Sequence, residues 1–208
     1  MRMLPLLALL PLAAARAEVV DFEGMPIGSP PIDWTIVKTG GGGDPQWEVV
    51  ADSTSPAGAR VLAQRSEDST SERFLLAIHP AAALANGAVT VRFKPVSGNV
   101  DRAAGLVWRY RDENNYYVVR ANALENNYRL YHVVNGRRVQ FAGANFKVAP
   151  GEWHELRVEC AGNHIACFYD GEKKIDATDD TFKDAGKVGA WTKADSVTYF
   201  DDLRVKAK

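Results

Sequence analysis

The chain has 208 residues, with 25 basic and 26 acidic side chains and a formal net charge of −1. That near-balance argues against a nucleic-acid binder, and the 46% hydrophobic content is enough to bury the core of one domain. No segment is apolar over the roughly 20 residues that a membrane-spanning helix needs.

The first stretch, MRMLPLLALLPLAAARA, has a basic residue at Arg2, an apolar run from Leu4 to Ala14, and small residues at Ala15 and Ala17. This is the layout of a secretory leader cleaved after Ala17. As a membrane anchor the run is too short, and Pro5 and Pro11 break it. Residues 1–17 are therefore expected to be a signal peptide, and residues 18–208 a single soluble domain, secreted or periplasmic. Setting aside Arg2 and Arg16 leaves 23 basic against 26 acidic residues, a net −3. The charge is unevenly spread: from Arg102 to Arg138 there are seven arginines and three acids, so this segment carries +4 and the remainder −7.

Beyond the leader, apolar residues recur with a period of two, punctuated by Gly, Pro, Asn and Asp, the pattern of an all-β domain. Strands are predicted over Trp34–Lys38, Trp47–Ala51, Arg60–Gln64, Arg73–Ile78, Ala88–Val96, Ala104–Arg111, Tyr116–Asn122 and Tyr128–Val134. They continue over Val139–Ala142, Trp153–Cys160, His164–Tyr169, Lys173–Thr178, Lys187–Trp191 and Val197–Val205. So many short strands in one domain predict a two-sheet antiparallel sandwich. The glycine run Gly40–Gly43 lacks a following Lys-Ser/Thr pair and a helix, so it reads as a connector rather than a phosphate-cradling loop.

The stretch Gly105–Val134 reads as three consecutive antiparallel strands. A turn at Glu113–Asn114 would pair Tyr110 with Tyr117, Trp108 with Val119 and Leu106 with Ala121 on one apolar face. Val107, Arg109, Arg111, Tyr116, Val118, Arg120 and Asn122 would then share the other. For the second hairpin, a turn between Glu125 and Asn126 places Tyr131 beside Arg120 and Arg129 beside Asn122, with Leu130 and Val134 in the core. A one-residue slip would bring His132 to the arginine face instead, and the first register is preferred.

Cys160 and Cys167 flank AGNHIA, a hairpin turn, and alternation points both inward. A direct cross-strand pair could be bridged and a diagonal one not, which leaves a disulfide and two buried thiols as alternatives. His154 and His164, ten residues apart on separate predicted strands, do not form a metal motif.

The runs GLVWRYRDENNYYVVRAN, PGEWHELRVECAGNHIACFYDGEK and DAGKVGAWTKADSVTYFDDLRV resemble the concanavalin-A-like lectin and glucanase jelly rolls. Within that group the chain is most similar to the bacterial exported 3-keto-disaccharide hydrolase domains and to laminin-G-like domains. The resemblance implies a bent jelly-roll sandwich whose concave sheet commonly binds sugars. It also implies two functional alternatives, a saccharide-binding or glycoside-cleaving domain and a non-catalytic laminin-G-type adhesion module. The Glu-x-Asp-x-x-Glu pattern of the related glucanases, whose paired carboxylates work on one glycosidic bond, is absent. Glu155 and Glu159 alternate around Arg157 and read as a solvated outer face.

The arginine face is the candidate site. Arg109, Arg120, Asn122, Arg129 and Tyr131, joined by Trp191 and Lys193, would offer planar donors and ring surfaces to an anionic or oxidised saccharide. Glu125 and His132 are the candidate acid–base groups near it. Asp21 and Glu23 near the start, with Asp201 and Asp202 near the end, are the candidate ligands of a structural calcium ion, since jelly rolls often join their chain ends around one.

Overall fold

The computed structural model describes residues 18–208, and the expected leader lies outside the described residues. The regular elements are β1 (Glu18–Val20), β2 (Thr35–Gly40), β3 (Trp47–Ala51), β4 (Arg60–Gln64), β5 (Arg73–Leu84), β6 (Gly87–Ser97), β7 (Ala103–Asp112) and β8 (Asn115–Asn122). They continue as β9 (Asn127–Val134), β10 (Arg137–Asn145), β11 (His154–Ala161), β12 (His164–Tyr169), β13 (Glu172–Thr178), β14 (Gly186–Lys193) and β15 (Val197–Ala207). Among the described residues no helix is long and apolar enough to cross a membrane.

The strands form two antiparallel sheets, the sandwich expected from the periodicity and the jelly roll that the resemblance implies. One sheet has the order β13-β12-β11-β6-β15-β4-β3 with β1 added beside β15; the other has the order β10-β9-β8-β7-β14-β5-β2. Alternation fills the space between them. Val89, Val91 and Phe93 of β6 and Leu156 and Val158 of β11 meet Leu106 and Trp108 of β7 and Tyr117 and Val119 of β8 in one core. Burying each such side chain contributes about 1.5–3 kcal/mol relative to leaving it in water.

Strand boundaries follow the sequence reading closely, with departures that have local causes. β5 runs on through Pro80 to Leu84 because a bulge opposite Lys187–Gly189 frees Pro80 from donating to the ladder. There His79 Nδ1 accepts the amides of Ala81 and Ala82 at 3.3 and 2.9 Å. β1 was missed; its three residues pair with β15, Val20 opposite Leu203, and bring the two ends of the domain together.

The first hairpin turns at Glu113–Asn114 as expected, with Asp112 opposite Asn115. The bulge between Trp108 and Asp112 shifts the rest of its ladder by two residues, and the second hairpin is shifted by two throughout. Trp108 pairs with Tyr117 and Leu106 with Val119 in the first; Arg120 pairs with Arg129 and Asn122 with Asn127 in the second. An even shift keeps side chains on their expected faces, so Tyr131 lies with Val118 and Arg120 on one face and His132 lies on the other, opposite Tyr117. Cys160 is opposite Ile165, and Cys167 opposite Val158. The two cysteines are thus diagonal, and both are buried free thiols.

Candidate functional site

The sheet β10-β9-β8-β7-β14-β5-β2 has a second apolar layer on its outer face. Phe74, Leu76, Val107, Tyr116, Val118, Tyr131, Val133 and Trp191 form it. The indole of Trp191 stacks on Phe74 with centroids 5.5 Å apart. Gly105 sits between Trp191 and Arg120 in the ladder. A Cβ there would come within 2.9 Å of both the Trp191 ring and Val118, so the bare backbone is what lets the indole lie flat across β7.

At the end of this face, near the turn between β8 and β9, polar side chains form two linked groups. Arg120, 3% exposed, donates from Nη2 to Glu125 Oε2 at 2.7 Å and to Asn127 Oδ1 at 2.6 Å. Asn127 Nδ2 returns to Glu125 at 2.8 Å. Asn122 donates to Asp101 Oδ1 at 2.7 Å, and Lys193 Nζ lies 2.7 Å from Asp101 Oδ2. The two acids are tuned oppositely. Burial holds the Asp101 carboxyl above its ordinary range despite Lys193 and Arg120. For Glu125 burial pushes upward too, but hydrogen bonding from Asn127 and the charge of Arg120 outweigh it and hold the group low. Asp101 is held in place by Asp195, whose carboxylate accepts the amides of Asn99, Val100 and Asp101.

Of the expected binding residues, Arg120, Asn122, Tyr131, Trp191 and Lys193 share this face. Arg129 pairs with Arg120 but is committed to the edge strand, donating to Ala144 O at 2.8 Å and Asn145 Oδ1 at 2.6 Å. Arg109 is a correction. The bulge between Trp108 and Asp112 and a φ of +47° turn its side chain into the sandwich, and Tyr110 takes a place on the outer face instead. Its guanidinium is 1% exposed and donates to the carbonyls of Phe182, Ala85 and Gly162. His132 and Glu125 do not meet: His132 Nδ1 is 3.2 Å from both Asp179 Oδ2 and Thr181 Oγ1, on the inner side of the sheet, and its ring stacks on Phe141.

Three residues of the face, Asn127, Asp101 and Arg138, are absent from the site expected from the sequence; Asn127 falls just past the turn, where alternation between β8 and β9 breaks off. Asp101 precedes β7 in an irregular loop that carries no periodic signal. Arg138 did have one: Asn135-Gly136, with φ of +50° and +76°, makes a two-residue hairpin turn that sets Arg138 opposite Val133. Its guanidinium carbon lies 4.4 Å from the Phe74 ring centre, 4.6 Å from Tyr131 and 5.7 Å from Trp191.

The four acids at the chain ends are engaged separately. Asp21 Oδ1 accepts the Glu23 amide at 3.2 Å, and Glu23 Oε1 accepts the amides of Ala59 and Arg60 at 2.7 Å. Asp202 pairs with Arg204 at 2.6 Å, and Asp201 accepts from Ser55 Oγ and from the Asp202 amide. Among the described residues no three His, Cys, Asp or Glu side chains gather as a metal-holding group.

Residues 33–206 match the model of the 3-keto-alpha-glucoside-1,2-lyase-like domain. The chain belongs to that family. A search of curated proteins gave no match to this lyase-like domain. Solved structures share its fold at low identity. The carbohydrate binding module CBM66 from Bacillus subtilis aligns at 20% identity over 86% of this chain and 98% of its own, with a TM-score of 0.66. A Bacillus licheniformis beta-glucanase aligns at 15% identity over 95% of this chain and 100% of its own, with a TM-score of 0.55. A protein of unknown function with a galectin-like fold from Bacillus subtilis aligns at 10% identity over 84% and 89%, with a TM-score of 0.57. These neighbours establish the fold alone.

Proposed function

We propose that this lyase-like domain binds a saccharide on the outer face of the arginine-bearing sheet, at the end where Arg120, Glu125 and Asn127 meet Asn122, Asp101 and Lys193. The observation that carries the reading is this concentration of buried, mutually oriented donors and acceptors beside an otherwise apolar layer. Sugar hydroxyls both donate and accept, and planar guanidinium, amide and carboxylate groups read them in pairs. Family membership supports the same ligand class. A panel of oligosaccharides that includes uronic and keto sugars, followed by calorimetry for binding and by NMR for turnover, tests it. Arg120→Ala is expected to weaken binding at least tenfold, and unchanged affinity at low salt would remove this face from consideration.

Cleavage of a 3-keto-glucoside is the finer reading, favoured by the opposite tuning of the two acids. A ketone at C3 acidifies the C2 proton, and elimination across C1–C2 then needs a base for that proton and a donor for the departing oxygen. Asp101, set in the polar group by Asn122 and Lys193, is the candidate base, and the proton it takes from C2 is the one it returns to the departing oxygen as the C1–O bond breaks. Asp101→Asn is expected to abolish turnover of a 3-keto-disaccharide while changing its binding only a few-fold; full retained turnover would exclude Asp101.

Two further features belong to the same reading. Export is supported by the leader-like residues 1–17, and sequencing of the mature N-terminus is expected to begin at Glu18. Calcium at the joined chain ends would be held by Glu23 and Asp201, because Asp202 is taken by Arg204 and Asp21 caps its own turn.

A further inference from the structure

Among the described residues Arg73, Arg109 and Arg120 are buried and donate to acceptors, whereas Arg138 is half-buried. Arg73 donates to the carbonyls of Gly43, Asp44 and Ala194 and to Ser66 Oγ; Arg109 has its three carbonyls, and Arg120 has Glu125 and Asn127. Arg138 lies over the rings of Phe74, Tyr131 and Trp191, and its Nη1 is buried with no hydrogen-bond partner. Burial pulls its proton affinity down, against the opposing pull of Tyr131, Glu72 and Asp101. A guanidinium N–H taken out of water and left without an acceptor is costly, because it has gained only ring faces.

A neighbouring unpartnered group has the same sense. Arg120 Nε is also buried without an acceptor, in a residue 3% exposed. It belongs to the layer on which Arg138 rests, through Tyr131. Of the acids near it, Glu125 pairs with Arg120 and Asp101 with Lys193, while Glu72 acts on Arg138 through its charge without a hydrogen bond. Arg138 therefore keeps a buried Nη1 donor without an acceptor, in company with the orphan Arg120 Nε.

We propose that Arg138 anchors a carboxylate on the saccharide, so that the ligand is an acidic sugar whose carboxyl group docks on the guanidinium above the Phe74–Tyr131–Trp191 rings. This deepens the saccharide reading and rests on it. A bidentate guanidinium–carboxylate pair satisfies two donors at once and is shorter and stronger than a neutral hydrogen bond. Because Arg138 covers the rings, a sugar meets the guanidinium before it meets any aromatic face. Charge pairing at a partly covered site also predicts a preference that survives moderate salt better than a surface attraction would.

The test compares cellobiouronic acid with cellobiose, which differ at one C6 carboxylate, by calorimetry against the full chain and against Arg138→Gln, Arg138→Lys and Arg137→Gln. The wild type is expected to bind the acidic sugar at least tenfold more tightly than the neutral one. Arg138→Gln should erase that preference, Arg138→Lys should keep part of it, and Arg137→Gln, altered at an exposed neighbour, should keep all of it. Thermal denaturation of each variant separates lost binding from lost fold. Equal affinity for the two sugars, or an acid preference that survives Arg138→Gln in a folded protein, would overturn the inference and leave the saccharide reading in place. Failure of the wild type to bind either sugar at any salt would count against both.

Discussion

Asp201 has no exposed surface, and its acidic neighbours Asp202 and Glu23 add repulsion to the cost of burial. Burial first, then those charges, raise its pKa to about 6, against hydrogen bonds from Ser55 and the Asp202 amide. The folded state therefore holds this proton more tightly than the unfolded chain does. The stability it contributes is fully present below the ordinary carboxyl range near 3.8 and is lost as pH rises through about 6. In the presence of a chelator, Asp201→Asn is expected to raise the melting temperature at pH 7.5, and the gain should shrink as pH falls toward 4. If Glu23 and Asp201 hold calcium, added calcium stabilises the wild type and reverses the sign of the Asn effect. A wild-type melting temperature indifferent to both calcium and chelator would leave the proton as the compensating charge and end the metal proposal.

Among the elements, the bulge in β7 is the piece that joins the sheet to its loops. Arg109 closes three carbonyls from separate segments, and Gly186 faces it so closely that a Cβ would lie 2.4 Å from the Arg109 carbonyl carbon. Arg109→Met strands those carbonyls and is expected to cost about 3 kcal/mol in urea denaturation. Because its side chain lies on the inner side, the folded variant should bind saccharide as the wild type does. Selective loss of binding without loss of stability would return Arg109 to the site. The same bulge marks where alternation stops being informative. The two-residue period fixes which face Trp108, Arg120 and Tyr131 occupy, and it survives the two-residue register shift in each hairpin. A residue at positive φ obeys no such period, so Arg109 read as a surface neighbour of Arg120 when it is an internal clamp. Arg138 was legible through the Asn135-Gly136 turn, whereas Asp101 depends on a loop shaped by Asp195, 94 residues further along, which no local pattern reveals.

At the scale of the whole molecule, the two sheets enclose both thiols, so their chemistry reports on the sandwich as a unit. Burial pushes Cys160 up to about 11 and holds Cys167 well above the ordinary thiol range, leaving negligible thiolate at neutral pH. Their diagonal placement across β11 and β12 also keeps them unbridged while the register holds. Reaction with a water-soluble disulfide reagent is therefore expected to require opening of the sandwich, with a rate that climbs with denaturant in parallel with global unfolding. Two thiols should titrate in the unfolded chain, and finding none would show a bridge. The face proposed to bind saccharide lies on the far side of the opposite sheet from these cysteines. A ligand bound there touches neither thiol but stabilises the folded state by RT ln(1 + [L]/Kd), about 2.7 kcal/mol at a hundredfold excess over Kd. At that concentration an authentic ligand should slow thiol reaction roughly a hundredfold wherever reaction follows global opening. A sugar that quenches tryptophan fluorescence yet leaves thiol reactivity unchanged would be binding without discriminating the folded sandwich from the open chain.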